Sequence, residues 1–227
     1  MPLNVEKIQA ICFDVDGTLS DTDDVLLEKI ARLIKPFHFL FPKKEIAHVA
    51  RRLVMFSEAP ANFLIGIPDL LGLDDEMFAL LDWMARKNHK KPHKFLLIPG
   101  TAEMLDELSK RYPLAVVSAR DTRTTELFLD QFGLRKYFKC IATAQTCKHT
   151  KPFADPILWA AEQMGVPAEA CLMVGDTPVD MRAGRNAATQ TVGVLCGFGE
   201  EWELRKYEAD MILTTTSELA QVLEAEG

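Results

Sequence analysis

Two carboxylates, Asp14 and Asp16, close the apolar run Ala10-Ile11-Cys12-Phe13 and are followed at once by Gly17 and Thr18. A short apolar run ended by a turn signal reads as a buried strand, which places both acids at its C-terminal edge. If strand geometry persists that far, the two side chains point to opposite sides. Gly17 removes the next side chain and lets a ligand or another backbone come close. Paired acids at such an edge suit a divalent cation or a group in transfer. Taken alone they suit equally well a turn, which Asp initiates by bonding its own backbone.

Other apolar runs end in polar residues too. Ser118 follows Leu114-Ala115-Val116-Val117, and Gly175-Asp176 follows Cys171-Leu172-Met173-Val174. Lys151-Pro152 comes after a short run near Cys140-Ile141-Ala142, and Asp180 sits with Asp176 at the start of a helical pattern. If these runs are aligned parallel strands, their ends bring carboxylates, a hydroxyl and an ammonium to one edge. In an open parallel sheet that edge is where ligands bind.

The elements required for this are legible. From Pro99-Gly100 onward, strand-like runs alternate with helical patterns. Helices are expected around Met104–Leu108, Thr122–Phe132, Ala154–Met164, Met181–Asn186 and Ser217–Glu224, and further strands at Thr191–Leu195 and Met211–Leu213. Alternation of this kind indicates an α/β fold, a doubly wound parallel sheet with a Rossmann-like core. Residues 20–95 instead read as helix after helix, with apolar faces such as Val25, Leu26, Ile30, Leu33 and Ile34. The expected organisation is an α/β core of residues 1–19 and 96–227 with a small all-helical insertion over residues 20–95.

Composition limits the partners. The 227 residues carry a net charge of −7, which gives no reason to expect nucleic acid or an anionic membrane, since both favour basic surfaces. Five cysteines without a CxxC pair read as buried reduced thiols, and the cytoplasm is the expected compartment. No apolar run approaches the length of a membrane span. The histidines show no metal-ligand spacing.

The set Asp14-Val15-Asp16-Gly17-Thr18, Ser118, Lys151-Pro152 and Gly175-Asp176-Thr177-Pro178-Val179-Asp180 resembles, in order and spacing, the four motifs of the haloacid dehalogenase-like hydrolase superfamily. The helical segment after the first motif looks like that superfamily's cap. Leu19-Ser20-Asp21-Thr22 and Gly197-Phe198-Gly199 look most like its phosphoglycolate phosphatase-like branch. The resemblance implies a Mg²⁺-dependent phosphatase acting on a small phosphorylated metabolite, with phosphoglycolate the leading substrate.

It also implies roles. Asp14 is the nucleophile that forms an aspartyl-phosphate, dividing one difficult step into two. Asp16 is the general acid/base, and its backbone carbonyl is a metal ligand. Asp14 and Asp176 are direct Mg²⁺ ligands, consistent with the preference of that ion for carboxylate oxygens. Asp180 supports the site through water or Lys151. Lys151 is a compact positive charge and Ser118 donates its hydroxyl to a phosphoryl oxygen, while Gly17, Thr18 and Gly175 support the arrangement. Other readings of the scaffold are a phosphomutase and a non-catalytic binding protein.

Ala119-Arg120 departs from the branch, where many phosphatases place an asparagine directly after the hydroxyl residue. Arg120 either reaches the phosphate or is solvated or salt-bridged. Ala119, Arg120 and, from the cap, Arg51 are the substrate-side candidates. A cap closing over the site excludes water, but Arg51 and Arg52 lie about a quarter-turn apart on a helix, so only one can face the cleft. The basic stretch 87–94 reads as a solvated linker.

Overall fold

The structure is a computed structural model that describes residues 3–21 and 95–225. The helices expected within 22–94, together with Arg51 and the basic stretch 87–94, lie outside the described residues.

Six parallel strands form one sheet: β1 (Ala10–Phe13), β2 (Leu114–Val117), β3 (Phe138–Ala142), β4 (Cys171–Gly175), β5 (Gln190–Val194) and β6 (Met211–Leu213), in the order β3-β2-β1-β4-β5-β6. The helices between them are α1 (Thr101–Leu108), α2 (Thr122–Gln131), α3 (Asp155–Met164), α4 (Pro178–Asn186) and α5 (Glu201–Lys206), with α6 (Leu219–Ala225) at the end. All residues of β1, β2 and β4 are buried, as expected of strands covered on both faces. The chain builds outward from β1 to β3, then crosses back to lay β4 against β1. That reversal opens a crevice at the carboxyl ends of β1 and β4.

Alternation along the strands sorts side chains by size. Ile11, Phe13, Leu114, Val116, Leu172 and Val174 pack with Leu105 and Leu108 of α1, Phe128 and Leu129 of α2 and Leu223 of α6. The opposite face carries Cys12, Ala115, Val117 and Met173 against Ile157 and Ala160 of α3 and Ala183 of α4. Small side chains there let the helices come close. At Gly184 in α4, a Cβ would stand 2.4 Å from Thr191 Cγ2.

Several expected boundaries move. The first strand ends at Phe13, so Asp14 and Asp16 lie on the turn beyond it rather than on alternate faces of a continuing strand. Helix α4 begins at Pro178, three residues before the apolar signal of Met181, because Thr177 and Asp180 form a capping box and Pro tolerates the first turn. The closing helix is split into a 3₁₀ turn, Thr216–Glu218, and α6. Helix α5 was not expected: it buries only Leu204 and so leaves no periodic trace. No described helix is long and apolar enough to cross a membrane.

Candidate active site

The turn after β1 is held from within and from β4. The Asp14 N–H donates to Val174 O (2.9 Å), and Val15 O accepts from the N–H groups of Leu19 (2.9 Å) and Ser20 (2.8 Å). Gly17 has φ +70°, and a Cβ there would stand 2.2 Å from Asp176 Oδ2. Glycine is therefore required twice over, for its backbone and for the close approach of the acid. Gly197, on the loop after β5, also faces Asp176, with the same 2.2 Å clearance for a Cβ.

Four ionisable groups meet behind this turn. Lys151 Nζ lies 2.7 Å from Asp14 Oδ1 and 2.6 Å from Asp180 Oδ1. The other oxygen of Asp180 accepts from Thr177 N (3.0 Å) and Oγ1 (2.7 Å), so the same carboxylate caps α4 and anchors the lysine. Asp176 accepts from Thr18 Oγ1 (3.2 Å) at Oδ1 and from Phe198 N (2.7 Å) at Oδ2. All four side chains are buried.

Three carboxylates around one ammonium leave an excess of buried negative charge. Burial, reinforced by Asp180 and Asp16, outweighs Lys151 and pushes the Asp14 carboxyl up to about 7. Burial and the charges of Asp180 and Asp14 likewise hold Asp176 well above the usual carboxylate range. Burial works against the Lys151 ammonium, but Asp14 and Asp180 more than offset it and keep the group protonated. A bound cation relieves this imbalance. Oxygen atoms of Asp14, Asp176 and Asp180 lie within 4.8 Å of one another, a hard donor set of the kind Mg²⁺ takes.

At the mouth of the crevice, Arg120 forks onto Asp16. Its Nε donates to Oδ2 (2.6 Å) and one terminal nitrogen donates to Oδ1. The Arg120 backbone N–H donates to Ser118 Oγ (3.1 Å), which leaves the buried serine its own O–H to donate. Ala119 contributes no polar side chain.

Residues 11–194 match the family model described as haloacid dehalogenase-like hydrolase. The chain belongs to that family. It is 30% identical over 223 residues to pyrophosphatase PpaX of Bacillus velezensis, covering 96% of this chain and 97% of the relative. In structure it is similar to a haloacid dehalogenase-like hydrolase from Streptococcus pneumoniae, with a TM-score of 0.70, 24% identity and coverage of 96% of this chain and 99% of that one. A predicted phosphoglycolate phosphatase from Haemophilus somnus aligns with a TM-score of 0.65 and 20% identity over 95% of this chain and 98% of its own.

The fold thus gathers Asp14, Asp176, Asp180 and Lys151 into one cluster, with Gly17, Thr18 and Gly175 packed against it. For Gly175 the constraint is Asp180, whose Cβ would lie 2.4 Å from an added Cβ. Asp16 and Arg120 form a separate pair, adjoining Ser118. Sequence reasoning missed the Phe198 N–H as a partner of Asp176; the glycines flanking Phe198 were the available signal. It also missed Phe95, over whose ring Arg120 lies at 5.2 Å.

Proposed function

We propose that this hydrolase is a Mg²⁺-dependent phosphatase that acts on a small phosphorylated metabolite through a covalent aspartyl-phosphate on Asp14. The observation that carries the reading is the Asp14 carboxylate, buried beside Asp176 and bonded to Lys151 at 2.7 Å. Asp14, Asp176 and the Asp16 backbone carbonyl are the groups that would hold Mg²⁺. When bound, the ion supplies charge neutralisation between a carboxylate and an approaching phosphate.

The chain's own residues perform the remaining tasks. An oxygen of Asp14 attacks phosphorus, the bond to the leaving oxygen breaks, and its electron pair departs with that oxygen, which takes a proton from Asp16. Water then attacks the phosphorus and gives its proton to Asp16, and the Asp14 carboxylate is regenerated. Lys151 fixes the orientation of Asp14 and offsets charge on the phosphoryl group. The Ser118 hydroxyl donates to a phosphoryl oxygen.

Phosphoglycolate is the substrate suggested by the motif resemblance, and pyrophosphate the one suggested by the name of the Bacillus relative. Both carry a second anionic group on the leaving half. The cytoplasm suits a chain whose five cysteines are all free thiols. The test is phosphate release from a panel of pyrophosphate, phosphoglycolate, nucleotides and sugar phosphates, with and without Mg²⁺. Metal-dependent release supports the reading. Interconversion of sugar phosphates with little free phosphate points to a mutase, and inertness across the panel points to a binding protein.

A further inference from the structure

We propose that Arg120 is a specificity residue for the leaving group: its guanidinium exchanges Asp16 for an anionic group on the departing half of the substrate. This rests on the phosphatase reading, in which Asp16 stands at the leaving oxygen. A group that exchanges a proton with that oxygen must lie within hydrogen-bond reach of it. A guanidinium bonded to both oxygens of Asp16 is then next to whatever the leaving oxygen is attached to.

The fork that grips a carboxylate also matches a phosphate or a second carboxylate. In the present arrangement it is incompletely used. Arg120 Nη1 is shut from solvent and has no hydrogen-bond partner among the described residues. An unsatisfied buried donor is unfavourable, so an incoming oxyanion offers the fork something that Asp16 does not. The pair is at the mouth of the crevice rather than sealed within it, with the two side chains 14% and 16% exposed.

The surroundings confine any movement to the side chain. The Arg120 backbone is pinned at both ends, its N–H on Ser118 Oγ at 3.1 Å and its carbonyl accepting from Ala144 N at 2.9 Å. The guanidinium lies over the rings of Phe95 (5.2 Å) and Phe128 (5.7 Å), which meet edge to face at 5.8 Å. Flat aromatic faces favour the cation whichever anion it binds, so they hold it near the crevice throughout the exchange. Lys151 cannot take this part, being bound between Asp14 and Asp180. Departure of Arg120 also releases both oxygens of Asp16 to face the leaving oxygen.

An Arg120 that binds the departing half separates substrates by the charge of that half. Values of kcat/KM are measured with Mg²⁺ for pyrophosphate, phosphoglycolate and 4-nitrophenyl phosphate, whose leaving half carries no anionic group in the substrate. Arg120→Gln is expected to lower kcat/KM about 100-fold, mainly through KM, for whichever anionic substrates the wild type uses, the effect of losing hydrogen bonds to a charged group. For 4-nitrophenyl phosphate the expected loss is about tenfold, from the disordering of Asp16 alone. Arg120→Lys, which keeps the charge and the aromatic contact, is expected to recover part of the difference and serves as the test if the glutamine variant fails to fold.

Equal losses on all three substrates overturn the proposal and leave Arg120 as a positioning residue for Asp16. A wild type that hydrolyses the aryl phosphate but neither anionic substrate overturns it as well. A wild type inert toward all three and toward the rest of the panel overturns the phosphatase reading itself, and one active only on substrates whose leaving half is uncharged overturns the proposal for Arg120. Response to one anionic substrate alone identifies the anion, phosphate or carboxylate, that the fork takes.

Discussion

Lys151 bridges Asp14 and Asp180, its ammonium 2.7 Å from one carboxylate and 2.6 Å from the other. The bridge joins the end of β1 to the first turn of α4, because Asp180 also caps that helix through Thr177. One cation therefore fixes the candidate nucleophile and the helix that follows Asp176.

Removing that cation leaves acids buried without it. Lys151→Met is expected to destabilise the protein by about 3–5 kcal/mol in urea denaturation, the typical penalty for breaking a buried ion pair from one side. Adding Asp180→Asn in the same chain should recover part of the loss. A double-mutant cycle that returns simple additivity would show that the bridge is not a unit.

Asp14→Asn is expected to separate stability from activity. It removes one of three carboxylates crowded around one ammonium, and Lys151 keeps Asp180 as a partner. The metal-free variant should melt at a higher temperature than the wild type while hydrolysis falls at least about 1000-fold, the trade expected where a site is built against stability. Retention of full turnover removes Asp14 from the nucleophile position.

The pH dependence of the metal-free protein follows from the same crowding. With the Asp14 carboxyl pushed up to about 7 by burial, from an ordinary value of 3.8, the folded state binds a proton more tightly than the unfolded chain. Asp176 shifts in the same direction. The Asp14 contribution to stability is complete below about pH 4 and is lost as pH rises through 7, and that of Asp176 is lost in the same direction. Mg²⁺ competes with those protons, so it should raise Tm more at pH 8 than at pH 5.5. At one hundred times Kd the gain is about 2.7 kcal/mol, or roughly 5–10 °C for a chain of this size. Differential scanning fluorimetry at the two pH values, with and without Mg²⁺, checks the sign.

The residues at strand ends were readable because β1, β2 and β4 are buried on both faces and appear as unbroken apolar runs, each closed by a polar residue. Strand order was not. Nothing in Ala10–Phe13 or Cys171–Gly175 says that these two strands are neighbours, and that adjacency is what brings Asp14 to Asp176. Backbone partners also escape a reading of side chains: the donor to Asp176 Oδ2 is the N–H of Phe198, a group that any residue but proline supplies. For Arg120 the open arrangements were a reach to the phosphate or a solvated or salt-bridged side chain, and only the turn after β1, which brings Asp16 within reach, shows the salt bridge.

The glycines around Asp176 give the sharpest separation of structure from metal binding. At Gly197 a Cβ would stand 2.2 Å from Asp176 Oδ2 and 2.5 Å from Gly17 O, while Gly133, at φ +64°, has nothing within 4 Å of an added Cβ. Gly133→Ala should therefore lose about 1 kcal/mol of stability through its left-handed backbone alone and keep its Mg²⁺ affinity. Gly197→Ala must displace the carboxylate of Asp176 or part the loop from the turn after β1. Displacement of a ligating group by its supporting shell typically weakens metal binding 10–100-fold, so a loss of at least about tenfold is expected for Gly197→Ala. Isothermal titration with Mg²⁺ on the folded variants reads both. Unchanged affinity in Gly197→Ala would mean either that the loop gives way and leaves Asp176 in place, or that Asp176 is not among the groups that hold the ion.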